Sequence, residues 1–203
     1  MHKKWVSLFL LFFCFPLWAQ KIPDNIFSYM QGKSWQKKNA VQKKDLVYLQ
    51  ITYYGFDGNF HPGELIVHKQ VAQEVLEIFD ELYHAHFPLQ KVQLIDKYQG
   101  SDELSMADNN SSAFCTRPMT GEKNSFSKHS YGIAIDINPV QNPYVKNDLV
   151  LPAKGNEYLD RRKIRKGMIV KDNVCYKAFT RRGWKWGGDW RTLQDYQHFE
   201  KDI

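Results

Sequence analysis

The 203-residue sequence predicts a single α+β domain, because helical and strand patterns both occur and the length suits one hydrophobic core. A helical period of apolar residues runs from Glu64 to Ala85, with charged residues on the other face. A strand pattern occupies residues 132–137, where isoleucines alternate with smaller or polar side chains. A second helix is predicted from Val174 to Arg181.

The chain begins with a segment typical of a cleaved secretory signal. A basic start, Met1-His2-Lys3-Lys4, precedes an apolar run from Trp5 to Leu17, which ends at Trp18-Ala19-Gln20. The run is too short for a stable membrane span, which needs about 20 apolar residues, and a small residue followed by polar sequence is typical of a cleavage site. We therefore expect a signal peptide over residues 1–19 and an exported protein, periplasmic or extracellular.

The charge of the chain indicates which partners suit it. The formal net charge is +6, and it falls to +4 when Lys3 and Lys4 leave with the signal. A basic exported protein suits anionic polymers such as those of the cell wall or membrane surfaces. No nucleic-acid-binding motif accompanies the charge, so we expect no nucleic-acid partner.

Shorter elements are predicted along the rest of the chain. Residues 20–60 are polar and lysine-rich with scattered aromatic anchors, so we expect an N-terminal arm packed on a domain of residues 61–203. A short strand is predicted from Val92 to Ile95. Ser101 followed by acidic residues predicts a capped helix that ends near Ala107. Ser112 to Thr116 is expected to be extended.

Three features of the chain each have two interpretations. Cys115 and Cys175 form a disulfide in an oxidising compartment, or they are two buried free thiols. The basic run Asp160–Lys166 is a patch for anionic surfaces, or it is a solvated loop. The segment Gly183–Trp190, with three tryptophans around a glycine pair, walls a substrate groove or fills a corner of the core.

The alternation at residues 132–137 separates two faces of the predicted strand. Gly132, Ala134 and Asp136 share one face, because successive side chains point in opposite directions. The isoleucines of the segment share the other face and predict a core contact. The two small residues would leave room beside the Asp136 carboxylate for a metal and a substrate.

Two blocks contain the side chains of a catalytic zinc site. Ser127–Asp136 contains His129 and Asp136, and Asp195–Glu200 contains His198. Two imidazoles and a carboxylate are usual ligands of catalytic zinc, and they leave a fourth position for water. Structural zinc sites instead have four protein ligands and are usually rich in cysteine. The residue types therefore predict a zinc (Zn²⁺) hydrolase.

The same residues resemble a known family, the zinc D-alanyl-D-alanine carboxypeptidases and the related L-alanyl-D-glutamate endopeptidases that cut peptidoglycan stem peptides. The resemblance covers Val67 to Glu200. Its specific motifs, in order, are S-x-H-x-x-G-x-A-x-D at Ser127–Asp136, W-x-W-G-G-x-W at Trp184–Trp190 and D-x-x-H-F-E at Asp195–Glu200. A weaker match is Ser111–Arg117. The family fold implies a small antiparallel sheet with helices packed around it.

The resemblance implies roles for individual residues. It assigns zinc binding to His129, Asp136 and His198, and it makes Asp195 the general base. A carboxylate there could take a proton from water and pass it to the leaving amine.

Three further roles follow from the resemblance. Arg117 would bind the substrate and stabilise charge during attack, because a guanidinium can hold a carboxylate or oxyanion through two nitrogens. Ser127 would contact the substrate near the metal, and Glu200 would orient a ligand histidine.

The expected function is zinc-dependent hydrolysis of peptidoglycan stem peptides, of the D-alanyl-D-alanine carboxypeptidase type. One alternative is an endopeptidase that cuts between L-alanine and D-glutamate. Another is a zinc-bearing module that binds wall peptides without cutting them, and the presence of Asp195 argues against it.

Overall fold

The computed structural model describes residues 18–119 and 125–203, and these form an α+β fold, as the sequence predicts. The α-helices of this part of the chain are α1 (Asp24–Met30), α2 (Ala72–His84), α3 (Asp102–Ala107) and α4 (Val174–Thr180). The strands are β1 (Trp18–Lys21), β2 (Leu46–Tyr54), β3 (Phe60–His68), β4 (Lys91–Val92), β5 (Asn110–Ser111), β6 (Ala134–Asp136), β7 (Tyr144–Lys146), β8 (Leu149–Leu151), β9 (Lys185–Trp186), β10 (Gln194–Asp195) and β11 (His198–Glu200). They form small sheets in the orders β1-β2-β3, β10-β7-β8, β6-β11-β9 and β4-β5.

The main core lies between the β2–β3 hairpin and α2. The two strands pair antiparallel along their whole length. Leu49 and Ile51 of β2, Leu65 and Val67 of β3 and Phe79 of α2 are buried in one cluster. Each large apolar side chain buried in this way stabilises the fold by about 1.5–3 kcal/mol. This cluster supports the elements that carry the site.

The prediction of a helix from Glu64 to Ala85 is wrong for its first residues, because they belong to β3, which ends at His68 before α2 begins at Ala72. Leu65 and Val67 are buried in the main core, whereas Ile66 is buried in a second cluster on the other face of the sheet. A strand buried on both faces has consecutive apolar residues, so it lacks the polar alternation that distinguishes a strand from a helix. The remainder of the prediction, over α2, is confirmed.

The N-terminal elements adjoin this sheet. β1 pairs antiparallel with β2, with Trp18 opposite Gln50 and Ala19 opposite Leu49. Residues 1–17 of the predicted signal peptide lie outside the described residues. The predicted boundary between arm and domain, after residue 60, falls inside the paired part of β3. Among the described helices, none is long and apolar enough to cross a membrane.

Short elements link α2 to the site. Ser101 caps α3 as predicted, since its hydroxyl accepts a hydrogen bond from the amide of Leu104 at 3.2 Å. The strand predicted over residues 92–95 is shorter than expected. Val92 is the last residue of β4, and Ile95 begins a 3-10 turn.

The sheet β6-β11-β9 carries two of the three candidate ligands, Asp136 and His198. The isoleucines of residues 133–137 are buried in the main core, as predicted. Gly132 precedes the strand, with a left-handed φ of 69°, and a Cβ at this position would lie 2.6 Å from the amide nitrogen of His68. The prediction that Gly132 leaves room beside Asp136 is therefore wrong. Its missing side chain instead permits close contact between the turn before β6 and the end of β3.

The helix predicted from Val174 to Arg181 is confirmed as α4. The side chain of Asn173 caps it by accepting a hydrogen bond from the amide of Tyr176 at 2.9 Å. Phe179 stacks on Phe199 of β11 with ring centroids 4.0 Å apart. This contact fixes α4 against the sheet that carries Asp136 and His198.

The structure decides between the two interpretations of the cysteines. Cys115 and Cys175 are both buried free thiols, so the disulfide interpretation is wrong.

The basic run Asp160–Lys166 is partly held by hydrogen bonds. The guanidinium of Arg161 donates to the carbonyl oxygens of Gln141 and Ile169, both at 2.6 Å. Arg161 therefore connects two loops through hydrogen bonds, whereas residues 162–166 are exposed, as the solvated-loop interpretation predicts.

Candidate metal centre

A short 3-10 turn, Lys128–Tyr131, places His129 in the interior. The Ser127 hydroxyl caps this turn by accepting a hydrogen bond from the amide of His129 at 3.4 Å. The His129 side chain is buried, and its Nδ1 lies 2.6 Å from the carbonyl oxygen of Ala113. Because a carbonyl can only accept, Nδ1 carries the proton and Nε2 presents a lone pair on the opposite side of the ring.

Asp136 and His198 face each other on neighbouring strands. β6 and β11 pair antiparallel with His198 directly opposite Asp136, and Nδ1 of His198 lies 3.0 Å from Oδ1 of Asp136. Glu200 is two residues further along β11, so its side chain is on the same face. Its Oε2 lies 3.3 Å from Nε2 of His198 and accepts the proton held there. The Nδ1 atom of His198 is then directed at the space it shares with Asp136.

The three inward atoms have the spacing expected of ligands to one ion. Nε2 of His129 lies 3.2 Å from Nδ1 of His198 and 3.1 Å from Oδ2 of Asp136. Two atoms that are each about 2.0–2.1 Å from zinc at tetrahedral angles lie about 3.3–3.4 Å apart. Acceptors at the outer nitrogens of both rings are the usual support of metal-binding histidines. The donor set and its surroundings therefore fit zinc.

The electrostatics of the centre favour a bound positive charge. Burial opposes ionisation of Asp136, but the neighbouring His129 and His198 outweigh it and hold the pKa of this carboxyl well below its ordinary value. Burial also disfavours the charged form of His198. Hydrogen bonds to Asp136 and Glu200 outweigh that effect and raise the pKa of His198. The carboxylates thus stabilise a cation between these side chains, where a metal would compete with protons.

The predicted substrate-binding residue, Arg117, reaches this centre. Its Nη2 lies 3.1 Å from Oδ1 of Asp102 and 3.6 Å from Oδ2 of Asp136. Burial disfavours the charge, but the two carboxylates outweigh it and raise the pKa of Arg117. The buried Nε has no hydrogen-bond partner among the described residues. Arg117 is therefore a fixed positive charge at the cavity, suited to holding a negatively charged group of a substrate.

Asp195, the predicted general base, ends β10 and borders the same cavity as the candidate ligands. Its Oδ1 is shielded from solvent and has no hydrogen-bond partner among the described residues. Burial raises the pKa of Asp195 well above its ordinary value, and the negative charge of Asp136 adds to this, against the opposing effects of His198, Gln197 and Arg117. A buried carboxylate with a free acceptor and a raised pKa is suited to taking up and returning a proton.

These groups line one cavity of about 380 Å³, which is within the usual range for small-ligand sites. Ser127 and Glu200 also line it. Its apolar walls include Met106, Phe126, Tyr144, Leu151, Trp190 and Leu193. Trp184 and Trp186 are instead buried in the main core. Within the tryptophan-rich segment, Trp190 therefore walls the cavity, whereas Trp184 and Trp186 fill a corner of the core.

Sequence reasoning missed two contributors to the site. Asp102 begins α3 and forms the ion pair with Arg117, and nothing in its local sequence predicts this. Gly187 lies against Asp195, since a Cβ on this glycine would be 2.6 Å from the Asp195 carbonyl oxygen and 2.9 Å from its Cβ. The glycine pair in W-x-W-G-G-x-W was the available signal, because conformationally free glycines often permit close backbone approach.

Residues 120–201 match a family model described as D-alanyl-D-alanine carboxypeptidase. This match confirms the resemblance drawn from the motifs and supports a peptidase. It spans the predicted site residues Ser127, His129, Asp136, Asp195 and His198, whereas Arg117 lies just before it. No curated protein and no solved structure matches the chain significantly.

Proposed function

We propose that this chain is a zinc-dependent peptidase that hydrolyses peptidoglycan stem peptides and releases terminal D-alanine. One observation carries the proposal: His129, Asp136 and His198 converge in a cavity that Asp195 and Arg117 also line. The match to a carboxypeptidase family over the same part of the chain supports it.

The residues of the cavity divide the reaction between them. His129, Asp136 and His198 would hold zinc, which when bound supplies a Lewis acid that polarises a carbonyl and makes water more acidic. Asp195, which lines the cavity, takes the proton of the attacking water and then delivers that proton to the leaving amine. The raised pKa of this carboxyl suits both steps, because a base near neutrality also serves as an acid.

Arg117 favours the carboxypeptidase type over the endopeptidase. Its charged side chain lines the cavity and is 19% exposed, beside its contacts with Asp102 and Asp136. A terminal carboxylate could form charge-assisted hydrogen bonds with this guanidinium, whereas an internal peptide offers a neutral carbonyl. The mostly apolar walls suit the methyl groups of alanine.

Digestion of defined stem peptides by the zinc-loaded protein, followed by mass spectrometry, tests the proposal. Loss of one terminal D-alanine is expected. Cleavage between L-alanine and D-glutamate would establish the endopeptidase, and binding without cleavage would establish the non-catalytic module. A C-terminally amidated peptide serves as the control for carboxylate recognition, and we expect it to be cleaved much more slowly than the free acid.

The place of action is part of the proposal. The apolar run and small residue near the start of the chain support export to the periplasm or beyond, where peptidoglycan is found. Expression in a secreting host followed by N-terminal sequencing would test this, with a mature protein beginning at Gln20 as the expected result.

A further inference from the structure

A second cavity, of about 400 Å³, adjoins the catalytic cavity. The side chains of Phe126 and Lys128 line both cavities, so they form a shared wall. Lys128 directly precedes His129 in the turn that carries this candidate ligand. The second cavity therefore begins close to the expected point of cleavage.

The second cavity has the mixed lining of a ligand site. Val41, Tyr131 and Ile133 provide apolar surface. The Phe126 ring lies edge-on to Tyr131, with centroids 6.5 Å apart, and Phe126 is 40% exposed. A partly exposed aromatic beside a concave apolar surface, with a few polar groups, is typical of places where ligands bind.

The polar contribution comes from Lys128 and its partner. The Lys128 ammonium donates to Oδ1 of Asp202 at 2.6 Å. Asp202 lines the second cavity and not the catalytic cavity, so this ion pair draws the ammonium towards the second cavity. The apolar stem of Lys128 remains at the shared wall. Such a wall can contact a peptide without placing an unpaired charge against it.

A stem peptide of several residues reaches well beyond the cleaved bond. An extended chain advances about 3.3 Å per residue, so the second and third residues before the cleaved bond lie about 7–10 Å from it. Phe126 and Lys128 line both cavities, so they connect the catalytic cavity to the second one. An extended acyl-side chain therefore has a path into the second cavity.

We propose that the second cavity binds the part of the peptide substrate on the acyl side of the cleaved bond. The inference rests on the proposed function, in which Arg117 holds the opposite, carboxyl-terminal end. It predicts that the protein selects longer peptides through a surface separate from the metal centre.

The test compares an acetylated D-alanyl-D-alanine dipeptide with progressively longer stem peptides of the same carboxyl terminus. We expect kcat/KM of the zinc-loaded protein to rise roughly tenfold from the shortest to the longest peptide, equivalent to about 1.4 kcal/mol. Equal values for all lengths would overturn the inference. Hydrolysis of no peptide would instead contradict the proposed function, so the two failures are distinguishable.

Val41→Trp tests whether the gain with peptide length comes from the second cavity. Val41 lines the second cavity but not the catalytic cavity, and a tryptophan at this position would fill the second cavity. We expect this variant to cleave the short peptide at the wild-type rate and to lose most of the gain with length. Gln42→Trp is the matched control, since Gln42 is the exposed neighbour and lines neither cavity. An unchanged length dependence in folded Val41→Trp would overturn the inference. If Val41→Trp does not fold, the wild-type length series still decides it.

Discussion

Nε2 of His129 lies 3.2 Å from Nδ1 of His198, although 69 residues separate the two in the sequence. A 3-10 turn supplies the first nitrogen and the last named strand supplies the second. The outer nitrogen of each ring lies against an acceptor, the Ala113 carbonyl or the Glu200 carboxylate. Both rings are thus oriented from outside, with their lone pairs directed at one point.

Loss of any candidate ligand is expected to abolish stoichiometric zinc binding. His129→Ala, Asp136→Ala and His198→Ala each leave two ligands of three, which is too few for a stable site. Glu200→Gln should retain zinc but bind it about 10–100-fold more weakly, because it alters the acceptor at the outer nitrogen of His198.

Metal analysis after dialysis against a weak chelator measures this prediction. His84→Ala is the matched control, since the His84 side chain is 70% exposed and lies outside the cavity. Full zinc occupancy in all three ligand variants would show that the assignment is wrong.

Asp195→Asn tests the general base. The variant keeps the shape of the side chain but removes the proton acceptor, so it should fold, retain zinc and lose about 10²–10⁴-fold in kcat. Steady-state assays at saturating peptide measure the loss. Asp148→Asn, at an exposed position outside the cavity, should have no effect. Near-normal kcat in Asp195→Asn would identify another group as the base.

Gly187→Ala is expected to displace Asp195 without removing the metal. The added Cβ would meet the Asp195 backbone at 2.6 Å, so the chain must shift, and a displacement of about 1 Å can cost about 10²-fold in rate. Zinc content should be unchanged. Gly63→Ala is the control for general destabilisation, because its Cβ would meet Val92 at 2.9 Å, away from the cavity. Equal kcat values for the two variants would contradict a role for Gly187 in positioning the base.

Asp102→Asn is expected to weaken the hold on Arg117. A neutral amide cannot balance the charge of the guanidinium, so KM for free-acid peptides should rise by roughly tenfold. A charge-assisted hydrogen bond contributes about 1.5–3 kcal/mol, and the lower end applies because this ion pair is partly exposed. Amidated peptides, which have no carboxylate for Arg117, should change little. Glu103→Gln, the exposed neighbour, is the control. A loss that is the same for free-acid and amidated peptides would indicate a purely structural role.

Both cysteines should be unreactive in the native protein. Burial raises the pKa of the Cys115 thiol to about 12 and that of Cys175 well above its ordinary value, so neither forms a thiolate at neutral pH. Alkylation followed by mass spectrometry should therefore find two modified cysteines in the unfolded mature chain and none in the native one. Modification of either cysteine in the native protein at neutral pH would show that it is accessible.

Local patterns determined several features of this protein from the sequence alone. The cap at Ser101 and the helix of α4 depend on residues within a few positions of each other, so they can be recognised without knowing the fold. The candidate ligands were recognisable for a related reason. Two histidines and a carboxylate are residue types that catalytic zinc prefers, and each stands in a short motif that can be read from the sequence.

Tertiary structure decided the features that depend on partners distant in the chain. β3 was mistaken for helix because a second cluster covers the face of Ile66 that would otherwise be polar. The Asp102–Arg117 ion pair and the contact of Gly187 with Asp195 join segments that no local period connects. The state of Cys115 and Cys175 was likewise open, because pairing depends on separation in space rather than in sequence.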